Sequence, residues 1–449
     1  MINNYNSVVE PQQSSRFSTA TPYFRVILLL SIALVALPAT GWAERIFFAG
    51  YKGGFYIRSE EEGGMELRLG GALQSDYRWY AEQERADNGF DIRRARLRFR
   101  GQLTQYLRFK MEYEFQGNET DNLVDAWVEA VFGRPSLRFG QTKEPFSLEW
   151  QTLDKGLYFA ERSMGYYLGP KRDLGVMLHG SVFDEVFTYA GGLFNGDGDD
   201  GSVSGPEEDV PEAAGRLVFS PFRRSSLSWL NQFQVGASAT YAQIDPINVN
   251  LSVKSTGMVG SLRTLYLLTH NTKYGVIQDV GDRKRMGLEA AWALGPLIFQ
   301  GEYVRLLYTD LEASGENPED ASLLTWYASA MWCLTGERPL LSGGRVKPIY
   351  PLRFFNPAEG TWGALCLAAR YEHFSGDPDW INPDSYVSVE EADAYSLALN
   401  WVLYPMARIV LDFSHTDFSD PIRSRVLTTG SVEYIDEENV VTLRFSIDF

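Results

Sequence analysis

The chain reads as all-β: a transmembrane antiparallel β-barrel of about sixteen strands with an inward-folded third loop. Three observations carry this. From about residue 90 onward, runs of roughly ten residues alternate between apolar and polar, the period of a strand that buries one face. Short turns and long acidic segments take turns between those runs. Aromatic content is high, at 14%, from 24 Tyr, 27 Phe and 11 Trp. The mean hydropathy of −0.21 argues against a bundle of membrane helices, which needs repeated apolar runs of about 20 residues.

In chain order, the first element is a secretory signal peptide over residues 1–43. Its apolar run, Val26 to Leu37, is preceded by Arg25 and followed by Gly41, Trp42 and Ala43, a small-x-small triplet that places cleavage before Glu44. Losing Arg16, Arg25 and Glu10 with it moves the net charge from −17 to −18, a balance that excludes nucleic acid as a partner. Residues 44–65 alternate weakly and are rich in glycine; a plug, a periplasmic turn and a first strand all fit. Residues 66–449 form the barrel domain. The 406 residues left after removing 43 of 449, at roughly 45–50 per hairpin with its loops, give about sixteen strands, and each run is long enough for a tilted membrane strand of about 9–11 residues.

The barrel's charge is concentrated early. In Asp91 to Arg100, DIRRARLRFR, the apolar Ala95, Leu97 and Phe99 face lipid, so Arg94, Arg96, Arg98 and Arg100 face the lumen about 6.7 Å apart. Alternation turns Arg93 the other way unless a bulge presents both neighbours inward. Guanidinium forks match the oxygens of phosphate, and such a row can pass an anion along. The alternative is structural: Glu112, Glu114, Asp125 and Glu129 on the next strands neutralise the arginines.

Between Glu144 and Leu174 lies a segment too aromatic for a solvated loop, with Phe146, Trp150, Tyr158, Phe159, Tyr166 and Tyr167 among Lys155, Arg162, Lys171 and Arg172. Folding into the lumen buries its apolar side and narrows the pore. Gly196 to Glu212, Asp310 to Ala321, Ser375 to Ala392 and Asp417 to Glu437 read as extracellular loops. The final strand ends on Phe449, an aromatic terminus that fits recognition by the outer-membrane assembly machinery. Cys333 and Cys366 read as wall residues able to pair in an oxidising compartment. The four histidines lack metal-ligand or nucleophile spacing, so the chain reads as neither an enzyme nor a cofactor protein.

The stretches GGALQSDYRWY (70–80), FDIRRARLRFRGQL (90–103), RFGQTKEPFSLEW (138–150), FAERS (159–163), GPKRDLGVMLHG (169–180), FNGDG (194–198), AGRLVFSPF (214–222), WGALCLAARYEHF (362–374) and LNWVLYPMARIVLDFSHT (399–416) together resemble the phosphate-selective porin O/P family of Gram-negative outer membranes. The resemblance implies a homotrimer of sixteen-stranded barrels embedded in outer-membrane lipid. It implies a water-filled diffusion channel in which basic groups attract phosphate or other small anions. It also implies paired arginines at the constriction, here Arg93 and Arg94, a loop arginine, Arg162, and a lysine before Pro-Phe, Lys143. With the residues read from alternation and from the loop, the expected anion path is Arg93, Arg94, Arg96, Arg98, Lys143, Lys155, Arg162 and Arg172. The family's dense mid-chain arginine series is reduced here to Arg216, Arg283, Lys284 and Arg285.

Overall fold

The computed structural model describes residues 46–449 apart from 52, 61–62, 82–86, 117–121, 197–210, 259–263, 273, 315, 381–387 and 427–431. The signal-peptide expectation therefore lies outside the described residues. Sixteen antiparallel strands pair each with its chain neighbour: β1 (Glu66–Tyr80), β2 (Gly89–Thr104), β3 (Leu107–Glu114), β4 (Leu123–Val131), β5 (Ser136–Lys143), β6 (Arg172–Val182), β7 (Phe187–Phe194), β8 (Glu212–Phe219), β9 (Phe233–Gln243), β10 (Asp282–Leu294), β11 (Leu297–Ala313), β12 (Glu319–Cys333), β13 (Ala364–Ser375), β14 (Glu391–Tyr404), β15 (Ala407–Val426) and β16 (Val432–Asp448). The ring closes where β16 pairs with β1, from Val440 opposite Tyr80 to Asp448 opposite Ala72. Among the described residues closure leaves none of the sixteen strands without a neighbour on either side, the condition a membrane imposes on a sheet.

The alternation sorts side chains inside out. Along β16, Leu443 and Phe445 are exposed on the outer face, while Thr442, Arg444 and Ser446 are buried within. The same inversion recurs on β10, where Met286 and Leu288 face out and Glu289 and Ala291 face in. Aromatic rings collect at both ends of the outer apolar band. Trp229 lies 6.0 Å from Trp292 and Phe187 stacks on Phe219 at 4.7 Å near the short turns, while Trp326, Tyr371 and Tyr395 cluster at the other rim with centroids 5.3 and 5.1 Å apart. Amphipathic rings gather at the two interfaces of a bilayer. The short-turn end is the periplasmic one by the usual arrangement of such barrels.

Three segments fold into the ring. The third long loop, 144–171, lies against the far wall: the Glu149 N–H donates to Glu302 at 2.6 Å, the Ala160 N–H to Asp412 at 2.6 Å and the Met164 N–H to Glu372 at 2.6 Å. Its Phe146, Leu148, Met164 and Leu168 are fully buried, which is the apolar burial its composition calls for. The fifth, 244–281, covers it from outside. There a hairpin of Asn250–Lys254 and Thr264–Thr269 leads to Thr256, which donates to Glu372 at 2.7 Å. The third segment, 334–363, enters from the short-turn end. Its tight hairpin, Leu341–Ser342 with Arg345–Val346, reaches the third loop through the Val346 N–H, 3.3 Å from the Thr152 hydroxyl.

Two loop expectations need correction. Strands β11 and β12 run to Ala313 and from Glu319, so little of Asp310 to Ala321 is loop. Strands β15 and β16 pair out to Val426 and Val432, so most of Asp417 to Glu437 is sheet. In each case polar residues occupy a two-stranded ribbon that has left the apolar band, where alternation of hydrophobicity no longer marks a strand. Of residues 44–65, Phe47–Tyr51 and Phe55–Ser59 form a hairpin that pairs with Glu66–Leu69 of β1, below the point where β16 ends. Cys333 and Cys366 stand opposite each other on β12 and β13 and form a disulfide at the base of the re-entrant segment.

Candidate ion-conduction site

A register shift between Gln74 and Ser75 leaves Arg93 as an extra residue on β2, with Arg94 opposite Gln74 and Ile92 opposite Ser75. The bulge resolves the alternation problem. Arg93 and Arg94 both point inward, and Ile92 returns to the lipid face.

The inward loop brings two carboxylates to this row. Glu161 receives Arg93 through two hydrogen bonds of 3.0 Å, and also Arg78 and Arg444 at 2.7 Å each; Arg78 and Arg444 are in turn held by Asp76. Burial alone would raise the Glu161 carboxyl, but Arg93, Arg444 and Arg78 override it and hold it well below the usual carboxylate range. One step inward, Asp154 meets Arg94, Arg96 at 3.3 Å and Arg162 at 3.0 Å. The wall carboxylates meet the rest: Arg96 pairs with Glu114 at 2.7 Å, Arg98 with Glu112 at 3.0 Å, and Arg172 with Asp125 at 3.3 Å. Lys155 pairs with Asp448 at 2.9 Å. Lys143 donates to the Trp150 carbonyl and lies 4.4 Å above the Trp150 ring, with the Arg172 guanidinium 5.1 Å from the same ring.

Periplasmic of this layer is a cavity of about 640 Å³. Its lining contains Arg96, Arg98, Arg100, Arg108, Lys110, Arg134, Arg138, Lys143, Lys155, Arg172, Arg216 and Arg345, against Glu112, Asp125, Asp154 and Asp448. That is twelve cations to four carboxylates, in a chain whose overall charge is −17. A cleft of one sign with low-dielectric walls concentrates counter-ions of the other.

Five of the eight residues expected on the path, Arg96, Arg98, Lys143, Lys155 and Arg172, line this cavity. Arg93, Arg94 and Arg162 lie one layer toward the outside, bound to the loop carboxylates. Sequence reasoning missed Asp154, Glu161, Arg78 and Arg345. Arg78 carried the signal of its inward register. Asp154 and Glu161 sit in an irregular loop that no period describes. Arg345 is carried in by the re-entrant hairpin, which Arg216 fixes by donating to the Gly344 carbonyl at 2.7 Å. Among the described residues Arg345 has no carboxylate within ion-pair distance.

Residues 67–449 match the family described as phosphate-selective porin O and P. The chain belongs to that family. This porin is 24% identical over 390 residues to Porin O of Pseudomonas aeruginosa, covering 80% of this chain and 84% of the relative. Its fold superposes on an anion-selective porin from Comamonas acidovorans with a TM-score of 0.53 at 11% identity, covering 86% of this porin and 100% of the other. It superposes on the outer membrane channel DcaP of Acinetobacter baumannii with a TM-score of 0.51 at 12% identity, covering 90% and 100%. It is an outer-membrane porin.

Proposed function

We propose that this porin conducts small anions, phosphate among them, along a path formed by Arg93, Arg94, Arg96, Arg98, Lys143, Lys155, Arg162 and Arg172, with Arg345 added on the periplasmic side. The observation that carries the reading is the lining of the 640 Å³ cavity, where cations outnumber carboxylates three to one inside an acidic chain. Arginine forks engage phosphate oxygens in pairs and lysine adds point charge, so an anion shedding water finds successive partners. The names of the relatives, a phosphate-selective family and an anion-selective porin, agree with it. The same reading takes the porin as a homotrimer in outer-membrane lipid, inserted by the assembly machinery through Phe449 after removal of residues 1–43.

One observation favours a broader selectivity. Each of Arg93, Arg94, Arg96 and Arg98 already holds a carboxylate, so anions are attracted by the surplus charge more than by free forks, and chloride passes as well. A reversal potential across a potassium chloride gradient in a planar bilayer, repeated with phosphate on one side, tests both. Anion preference with block of chloride current by phosphate supports the specific reading, anion preference without block the broader one, and cation preference overturns the proposal.

A further inference from the structure

Period two places Trp127 on the lumen side of β4, between Asp125 and Glu129, where it lines the periplasmic chamber. A water-filled lumen asks for polar inward positions, and the neighbours across the ladder comply. Lys110 stands opposite Trp127 on β3, and Arg138 of β5 lies over the ring with its guanidinium 4.0 Å from the centroid. Arg138 donates to Glu129 at 2.7 Å and to the Thr142 hydroxyl at 3.1 Å, which fixes the stack. The inward loop adds a second apolar group: Leu153 borders the same chamber and is 47% exposed. Neither side chain has anything to offer an inorganic anion, whose whole surface is oxygen.

Cations with charge to spare stand beside the ring. Lys110 faces Arg100 of β2 on one side and Trp127 on the other, so Arg100 lies two strand spacings from the ring, about 10 Å. Arg100 is exposed to the chamber and has no carboxylate at ion-pair distance among the described residues. Arg108 is the diagonal neighbour of both Arg100 and Trp127; it is 48% exposed, with Glu129 3.7 Å away. Ser136, Gln151, Thr188 and Tyr189 add neutral hydrogen-bonding groups to the lining. At about 640 Å³ the chamber falls among sites for small organic molecules, which span about 300–1,000 Å³.

We infer that this chamber is a binding site for a hexose phosphate monoester, with the sugar ring on Trp127 and Leu153 and the phosphate on Arg100 and Arg108. This rests on the anion-conducting reading and extends it to an organic substrate class. A sugar ring turns C–H groups toward the negative face of an indole and a rim of hydroxyls toward polar side chains, while its phosphate matches guanidinium forks. Neither half alone satisfies the site. Inorganic phosphate leaves Trp127 and Leu153 against water, and a neutral sugar leaves the arginines without a counter-charge.

The test compares block of chloride current by glucose 6-phosphate and by inorganic phosphate in planar bilayers at one pH, with glucose as the neutral control. In the wild type, half-block is expected at roughly fivefold less glucose 6-phosphate than inorganic phosphate, and glucose is expected not to block. In Trp127→Ala the ratio of the two half-block concentrations is expected to fall toward one. Leu153→Asn replaces an exposed side chain, with little packing to lose, and is expected to lower the ratio about twofold. Inorganic phosphate blocking as well as the ester in the wild type overturns the inference, as does block by glucose at the same concentration. An unchanged ratio in Trp127→Ala also overturns it, and where that variant fails to insert, an unchanged ratio in Leu153→Asn does so. The wild-type reversal potential keeps the two levels apart: cation preference sinks the anion reading, whereas anion preference with no advantage for the ester sinks only the sugar phosphate site.

Discussion

Phe449 and Gly71 exchange a pair of backbone hydrogen bonds across the seam of the barrel, 3.0 Å from the Phe449 N–H to the Gly71 carbonyl and 2.8 Å in return. A Cβ at Gly71 would lie 2.6 Å from the Arg96 carbonyl oxygen and 2.8 Å from the Phe449 ring, so only glycine leaves the ring its place. Deleting Phe449 removes both bonds and the ring, and Gly71→Val expels the ring while keeping the terminus. Both variants are expected to lower the heat-modifiable, membrane-inserted fraction in gels of outer-membrane preparations. Normal insertion of both would separate the seam from assembly.

Arg345→Ala is expected to lower anion preference without disturbing assembly, because among the described residues the side chain has no carboxylate partner to lose. A unit charge about 7 Å away in water is worth roughly 0.6 kcal/mol, so anion occupancy should fall about two- to three-fold. The reversal potential in a salt gradient should move toward the cation value. An unmoved potential would place Arg345 off the path.

Replacing Cys333 and Cys366 with Ser should loosen the segment between them. Closing a loop over the sequence separation of 33 is worth about 3–4 kcal/mol in the chain-entropy account. The barrel should still form, since its ladder does not depend on the bond, but limited proteolysis within residues 334–363 should accelerate and current noise should rise. Identical digestion of variant and parent would show that the hairpin's hydrogen bonds suffice.

Glu161→Gln leaves Arg78, Arg93 and Arg444 facing a neutral amide. Removing one partner from a buried ionic cluster costs about 3–5 kcal/mol, and the melting temperature of the folded barrel in detergent should drop accordingly. The acid dependence follows from the depressed carboxyl. Its contribution is present above the ordinary carboxylate range and is lost only as pH falls through the lower folded value. The parent should therefore hold its channel through mildly acid solution and loosen the loop in stronger acid, with the Gln variant showing a smaller change over that lower window.

The wall was legible in the sequence because a membrane barrel writes its two faces at period two. Arg94, Arg96 and Arg98 could be assigned to the lumen from Leu97 and Phe99 alone, and the partners Glu112 and Glu114 followed from the next strand; Asp125 and Glu129, expected on the row as well, instead hold Lys110 and Arg172, and Arg108 and Arg138. What alternation could not reveal is contact made by irregular chain. Whether Arg93 faces in or out depends on a one-residue bulge, and the partners of Arg93 and Arg94, Glu161 and Asp154, come from a loop whose path is set by tertiary packing. Arg345 was hidden for the same reason: its segment looks like a long connection, and it is the hairpin's tertiary anchors, on Arg216, Thr152, Glu185 and Gln232, that turn it into the lumen.

The ribbon of β15 and β16 has a meaning apart from transport. With 20 and 17 residues at about 3.4 Å each and a tilt near 40°, it rises roughly 50 Å, about twice the height of the apolar band. Its outer part carries Asp417, Glu433 and Glu437 on paired backbone instead of a slack loop. The outer rim therefore carries an acidic ribbon of paired strands, on the side of the mouth where the barrel's ends are joined. An antibody or a phage tail approaching from solution would encounter paired strands there instead of a loop.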